Sequence, residues 1–289
     1  MIRVDRLTYV YMAGTPYEKK ALDACSLEIA QNDFVGLIGC TGSGKSTLVQ
    51  HFNGLIKAPP GTVFIDGRDI TSQDMKALRQ KVGLVFQYPE HQLFEETVYK
   101  DIAFGLVRQG LPEEEIRTRV MAALRAVNLD EPGIPDKSPF ELSGGQKRRA
   151  AIAGIIVMQP EVLVLDEPAA GLDPKGREEI YRMVGALHRE GRVTVVLVSH
   201  NMEDIAHYAR RILVMHEGRI IMEGPAAEVF SRREELTAIG LDVPSITRVM
   251  DGLKKEFPGL NTVLTVEEAK DEILRYLGMN PWKEGSRFR

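Results

Sequence analysis

The chain has 289 residues, 44% of them hydrophobic and 27% charged, with a formal net charge of −4. This is the balance of an ordinary soluble globular protein, one large domain or two ordinary ones, and its acidity gives no reason to expect nucleic acid as a partner. Two cysteines, Cys25 and Cys40, build no secreted disulfide framework; MIRVDRLTYVY lacks the apolar core of a signal peptide; and no stretch nears the roughly 20 apolar residues of a membrane span. A cytoplasmic chain is expected, with docking on a membrane partner left open.

In chain order, IRVDRLTYVY, CSLEI and DFVGLIG alternate as strands, with a loop at AGTPYEKK. The third runs into GCTGSGKS at 39–46, which satisfies G-x-x-x-x-G-K-[ST] between a strand and a helix, KSTLVQHFNGL. Gly39, Gly42 and Gly44 permit positive φ and close approach of phosphates, which the loop amides and helix N-terminus then hold. Lys45 is placed to reach the β- and γ-phosphates and Ser46 to hold Mg²⁺; Cys40 reads as a small filler. TVFIDG and VGLVFQ read as further strands.

From about Pro89 to Met158 the pattern turns helical, with Pro112 expected in a first helical turn and Glu113–Glu115 as its solvated charge. After Gln87, Pro89 is expected to open a helix carrying Gln92, Leu93 and Phe94, with Glu95 and Glu96 near its N-terminal turns. In LSGGQ, Ser143 can cap a helix whose first turn holds Gly144 and Gly145, leaving amides open to an anion. VLVLDEP and VTVVLVSH read as buried parallel strands joined by the helix PKGREEIYRMVGALHREG. Asp166 can hold Mg²⁺ beside Ser46, Glu167 can polarise a water, and His200 ends its strand at the ligand-facing edge of the sheet. RILVMHEGRIIMEG reads as a hairpin turning at Glu217-Gly218.

Residues 225–289 form a tail in which Ile246, Val249, Met250, Leu253 and Phe257 repeat at helical spacing. Thr265 and Glu268 make a capping box for a second helix. The tail's apolar stripe is expected to pair with another chain, and Lys283, Arg287 and Arg289 read as a solvated end. The architecture expected is therefore α/β. It comprises a P-loop core with an antiparallel β subdomain over 1–224, a helical insertion at about 89–158 and a small, mainly helical extension over 225–289.

Phosphate loop, LSGGQ and Asp166-Glu167 together resemble the ATP-binding-cassette (ABC) ATPases over roughly residues 1–224. That resemblance implies ATP and Mg²⁺ as cofactors, with Gly39, Thr41, Gly42, Ser43, Gly44, Lys45, Ser46 and Thr47 binding nucleotide. It makes Tyr11 the aromatic stacking on adenine, with Tyr9 and Tyr17 as neighbouring candidates. It further implies Glu167 as general base, with His200, Lys45 and Gln87 in catalysis, and Ser46, Asp166 and Gln87 at the metal. Ser143, Gly144, Gly145 and Gln146 would contact the partner's ATP, and Asp173 in GLD would face the other subunit. One set of motifs in one chain implies a dimer, homo- or hetero-.

FQYPEHQLF and the RRAAIAG after LSGGQ resemble the energy-coupling factor (ECF) importers and their cobalt and nickel relatives, and IGLDVPSITRVMDGL resembles the extension of their A-prime ATPase. This implies a paralogous A-type ATPase, a transmembrane T subunit and substrate-binding S components, at the cytoplasmic face of the membrane, with a vitamin or transition-metal ion as cargo. Gln92, Leu93, Phe94, Glu95 and Glu96 would meet the membrane subunit. An ATPase of a conventional ABC importer is the alternative; a soluble ABC ATPase of DNA repair or translation fits less well, since no coiled-coil arms or second cassette appear.

Overall fold

The computed structural model describes residues 1–191 and 193–278; the basic end at Lys283, Arg287 and Arg289 lies outside them. The chain opens with β1 (Ile2–Tyr11), β2 (Lys19–Ile29), β3 (Phe34–Ile38) and α1 (Lys45–Phe52), then β4 (Val63–Ile65), β5 (Arg68–Asp69), α2 (Met75–Lys81) and β6 (Val82–Val85). The helical insertion holds α3 (Val98–Gln109), α4 (Glu113–Ala126) and α5 (Gly144–Ile156). After it come β7 (Val162–Asp166), α6 (Pro174–Arg189), β8 (Thr194–Val198), α7 (Met202–Tyr208), β9 (Arg211–His216) and β10 (Arg219–Pro225). Helices α8 (Ala226–Ser231), α9 (Arg233–Ala238), α10 (Ser245–Lys254) and α11 (Val266–Tyr276) complete it.

Two sheets result. An antiparallel one has the order β2-β1-β4-β5; the other has the order β10-β9-β3-β8-β7-β6 and is parallel except for the β9–β10 hairpin. All five residues of each of β3, β7 and β8 are buried, which is why these segments are continuous apolar runs, broken only by Thr194 at the start of β8 and Asp166 at the end of β7, rather than alternating. Their carboxyl ends share one edge, and the phosphate loop, Asp166-Glu167 and Ser199-His200 therefore emerge side by side, where open α/β sheets bind ligands.

Three local expectations are corrected. The helix expected after Pro89 is a single 3₁₀ turn, Pro89–Gln92: Tyr88 enters it with φ 57° and Leu93 leaves it extended, so Leu93–Glu96 form a loop ahead of α3, whose cap is Thr97. Pro112 is the residue before the first turn of α4, extended at ψ 144°, rather than within that turn. The tail's apolar stripe divides: Ile246, Met250 and Leu253 pack with Leu260, Val263, Ala269 and Ile273, while Val249 and Phe257 stay exposed. The Thr265–Glu268 capping box is formed.

Packing shows no boundary at Gly224. Val229, Phe230, Leu236, Leu241 and Val243 join the core beneath the parallel sheet, and a separate small core begins only with α10 and α11. The tail also grips the nucleotide-binding core: Cys40 Sγ donates to the Ile239 carbonyl (2.9 Å), so this side chain does more than fill space. Glu203, on α7, accepts from the Ser245 amide (3.1 Å) and hydroxyl (2.9 Å).

Candidate functional site

The phosphate loop closes on itself by geometry that glycine permits. Gly44 has φ 109°, and a Cβ there would lie 2.4 Å from the Ala21 carbonyl oxygen; Gly42 has φ 82° and faces open space. Gly42 and Gly44 line a cleft of about 190 Å³ with Tyr11, Lys19, Lys45 and Thr47. Lys45 Nζ arches over the loop, donating to the carbonyls of Gly39 (2.6 Å) and Cys40 (3.0 Å). Burial pulls the Lys45 ammonium below its ordinary range, while the charges of Glu167 and then Asp166 act to hold the proton. The Ser43 hydroxyl is buried without a partner among the described residues. Such a loop, with a cation set against it and glycine wherever a side chain would obstruct, suits a polyphosphate.

Tyr11 stands at the rim, its hydroxyl 3.2 Å from Thr47 Oγ1. Tyr9 packs edge-on against Tyr11 and His51, whereas Tyr17 is 80% exposed on the loop beyond, so Tyr11 alone of the three lines the cleft. Thr41 belongs to the same loop and is exposed.

At the end of β7 the two acids diverge. Asp166 is buried and accepts from the Ser46 hydroxyl; burial raises its carboxyl above the ordinary range, against the hydroxyl and Lys45. A carboxylate and a hydroxyl in contact, beside the loop, are oxygen donors of the kind Mg²⁺ takes. Glu167 has φ 53°, a left-handed conformation that costs a non-glycine residue about 1–3 kcal/mol and gathers at active sites. That turn aims its carboxylate at His200, whose Nδ1 lies 2.7 Å from Oε1. Gln87 is exposed two residues past β6, at the same sheet edge.

The remaining predicted residues lie outside this cluster. Ser143 caps α5 by accepting from the Gln146 amide, and the Gln146 side chain accepts from the Ser143 amide; a Cβ on Gly144 or Gly145 would meet nothing. This bare helix start leaves room for an anion at its amides. Asp173 accepts from the Gly176 amide (2.7 Å) and caps α6. Gln92 and Phe94 are exposed, Leu93 and Glu95 half-buried, and Glu96 pairs with Lys100 (2.6 Å).

Two features carry no motif in the sequence. Arg148 and Glu90 form a buried ion pair, signalled only by a triple cationic run, KRR, on a helix otherwise built of small and apolar residues. Tyr181 donates to Asp204 of α7; burial raises the Asp204 carboxyl, against the Tyr181 hydrogen bond and Arg177.

A P-loop, an acid pair at a buried strand end and a capped glycine helix start on one α/β sheet define a nucleotide-hydrolysing cassette. A family described as "ABC transporter" matches residues 22–170, more than half of the chain. The energy-coupling factor transporter ATP-binding protein EcfA2 of Acetivibrio thermocellus is 60% identical over 96% of this chain and 98% of its own. The same-named protein of Clostridium tetani is 54% identical over 95% and 96%. Among solved structures, cbiO1 of Clostridium perfringens, part of the ABC transporter complex cbiONQ, aligns with TM-score 0.72 and 39% identity over 86% of this chain and 98% of that one. A dimeric ATP-binding cassette bound to ADP and Pi aligns with TM-score 0.69 and 30% identity over 78% and 99%. The chain belongs to the ABC transporter ATPases, within them to the ATP-binding proteins of energy-coupling factor transporters, and its activity is ATP hydrolysis coupled to transport.

Proposed function

We propose that this chain powers an ECF-type importer by hydrolysing MgATP between its own phosphate loop and the LSGGQ helix of a second ATPase, a paralogue or another copy. The hydrogen bond from His200 to Glu167 carries this reading. It holds a carboxylate at the strand end beside Asp166 and the loop, where a general base for water would stand.

The γ-phosphate would be attacked in line by a water that Glu167 deprotonates. Lys45 and the loop amides would take up charge on the transferring group, and Tyr11 would cover the adenine. Ser46 and Asp166 would hold Mg²⁺, which would supply charge neutralisation when bound with the nucleotide, and Gln87, just past β6 at the same sheet edge, would sense it. His200 keeps Glu167 aimed. The partner's Ser143, Gly144, Gly145 and Gln146 equivalents would close the site, as the dimeric state of the ADP-bound relative supports. Asp173, at the start of α6, would lie against that second subunit.

Phe94, at 60% exposure, stacks edge-on against Phe104 beside a groove of about 450 Å³ lined by Glu95, Tyr99, Lys100 and Val107. An apolar groove with an acidic lip fits a basic, amphipathic coupling segment of a transmembrane T subunit, which would hold this chain at the cytoplasmic face. The cargo, a vitamin or transition-metal ion captured by S components, never touches this chain.

The test is recovery of the tagged full chain from detergent-solubilised membranes. Co-purification of a paralogous ATPase and a multi-span protein is expected, with Glu95→Lys/Glu96→Lys losing the multi-span protein while still binding ATP. Normal assembly and transport by that double variant would remove the groove from this role, and recovery of DNA-repair proteins would overturn the importer reading.

A further inference from the structure

Arg148 is 2% exposed, although it lies on the helix that begins at the glycine pair. Burying a guanidinium is costly unless its donors are satisfied, and here four hydrogen bonds engage all three of its nitrogens. Nε donates to Glu90 Oε2 (2.9 Å) and Nη2 to Glu90 Oε1 (2.6 Å), a bidentate fork. Nη1 donates to the carbonyls of Pro168 (3.2 Å) and Ala170 (2.5 Å), and the guanidinium carbon lies 5.6 Å from the centre of the Tyr88 ring.

Arg148 and these partners lie at three places that have to agree for ATP cleavage. Glu90 sits in the 3₁₀ turn three residues after Gln87. Pro168 and Ala170 lie just beyond Glu167, and the Ala170 amide donates back to the Glu167 carbonyl (3.2 Å). Arg148 itself is one turn along from the Ser143 cap. The neighbouring Arg149 pairs with Glu179 on α6, so the same helix is also fastened to the element that Asp173 opens.

We infer that Arg148, paired with Glu90, is a positioning residue for ATP cleavage. The pair locks the turn after Gln87, the loop after Glu167 and the signature helix into one register, so that the base and the glutamine reach working geometry together. Movement of the Gln87 turn, which lies next to the exposed Phe94 loop, is thereby passed to the base through one guanidinium. This inference rests on the hydrolytic reading above. A lysine would keep the charge but lose the fork, so Arg148→Lys should not substitute fully.

The experiment compares full-length wild type with Glu90→Gln, Glu90→Asp and Arg148→Lys, measuring steady-state ATPase activity in the membrane-purified complex, ATP-analogue affinity and melting temperature. Glu90→Gln should lower kcat between about 10- and 100-fold, the scale of a misplaced catalytic group, with KM and affinity within about threefold of wild type. Glu90→Asp should recover much of that kcat by restoring the carboxylate. If Arg148→Lys fails to fold, the half-buried Glu90 variants still decide. A folded Glu90→Gln with kcat within about twofold of wild type overturns the inference. So does a loss that appears as weaker ATP binding or a lower melting temperature, with turnover per bound ATP unchanged. Wild-type turnover in Glu167→Gln would instead sink the hydrolytic reading, and so the two failures are told apart.

Discussion

Two glycines in the phosphate loop should fail in different ways when a methyl group is added. At Gly44 an alanine inherits φ 109°, and its Cβ lands 2.4 Å from the Ala21 carbonyl oxygen and 2.9 Å from Met215 Cε. The left-handed backbone costs about 1–2 kcal/mol and the forced repacking about 1–3 kcal/mol more, roughly 2–5 kcal/mol in all. For a chain of this size that lowers Tm by about 5–15 °C. At Gly42 the φ of 82° carries a similar backbone term, but the Cβ meets no atom, and the residue lines the cleft. Gly42→Ala should therefore lose only about 2–5 °C, yet lose the nucleotide response. Wild type at 100 times its Kd for MgATP should gain about 2.7 kcal/mol, or several degrees. Thermal melts with and without MgATP read both effects. A Gly42→Ala chain stabilised by MgATP as strongly as wild type would show that the open space beside Gly42 is not where phosphate sits.

Other expectations follow from the packing and charge. His200→Ala removes the hydrogen bond that aims Glu167 and should lower kcat roughly 100-fold with ATP affinity nearly unchanged, measured by phosphate release. Phe230→Ala should cost about 3–5 kcal/mol by denaturant melts, because Phe230 is fully buried in the core beneath the sheet; a loss under about 1 kcal/mol would detach α8 from that core. Asp204 has its carboxyl raised by burial, so its contribution to stability is full below the unfolded value near 4 and is lost as pH rises through the folded value. Asp204→Asn should accordingly raise Tm near pH 7 and leave it little changed near pH 4, followed by melts across that range. Truncation after Pro244, which spares the shared core, should weaken pairing with a second ATPase in light scattering while leaving MgATP binding intact; undiminished pairing would limit Val249 and Phe257 to surface contacts.

The parts legible in the sequence were those that a short spacing encodes. Each of three five-residue, nearly all-apolar strands runs within a few residues into its own piece of chemistry, the glycine-punctuated loop after β3, the acids at the end of β7 and His200 after β8, and this repeated adjacency reveals both sheet edge and chemistry. The Thr265 and Ser143 caps were readable for the same reason. What escaped depends on contacts made at long range. Arg148 and Glu90 are 58 positions apart and Cys40 and Ile239 are 199 apart, and no periodicity links them. The turn after Pro89 misled because Tyr88 takes a left-handed conformation that its residue type does not advertise. The apparent break at Gly224 reflects the end of a strand pattern, while burial continues through Val243.

The most direct test is a single measurement on the Glu167→Gln chain in the membrane-purified complex: ATP hydrolysed per minute alongside MgATP retained per complex. Hydrolysis should fall at least about 100-fold while the complex still holds MgATP, because the amide keeps the size and the His200 contact of the carboxylate but cannot take a proton from water. Turnover at the wild-type rate, with MgATP equally retained, would contradict the assignment of Glu167 as the base and the mechanism built on it.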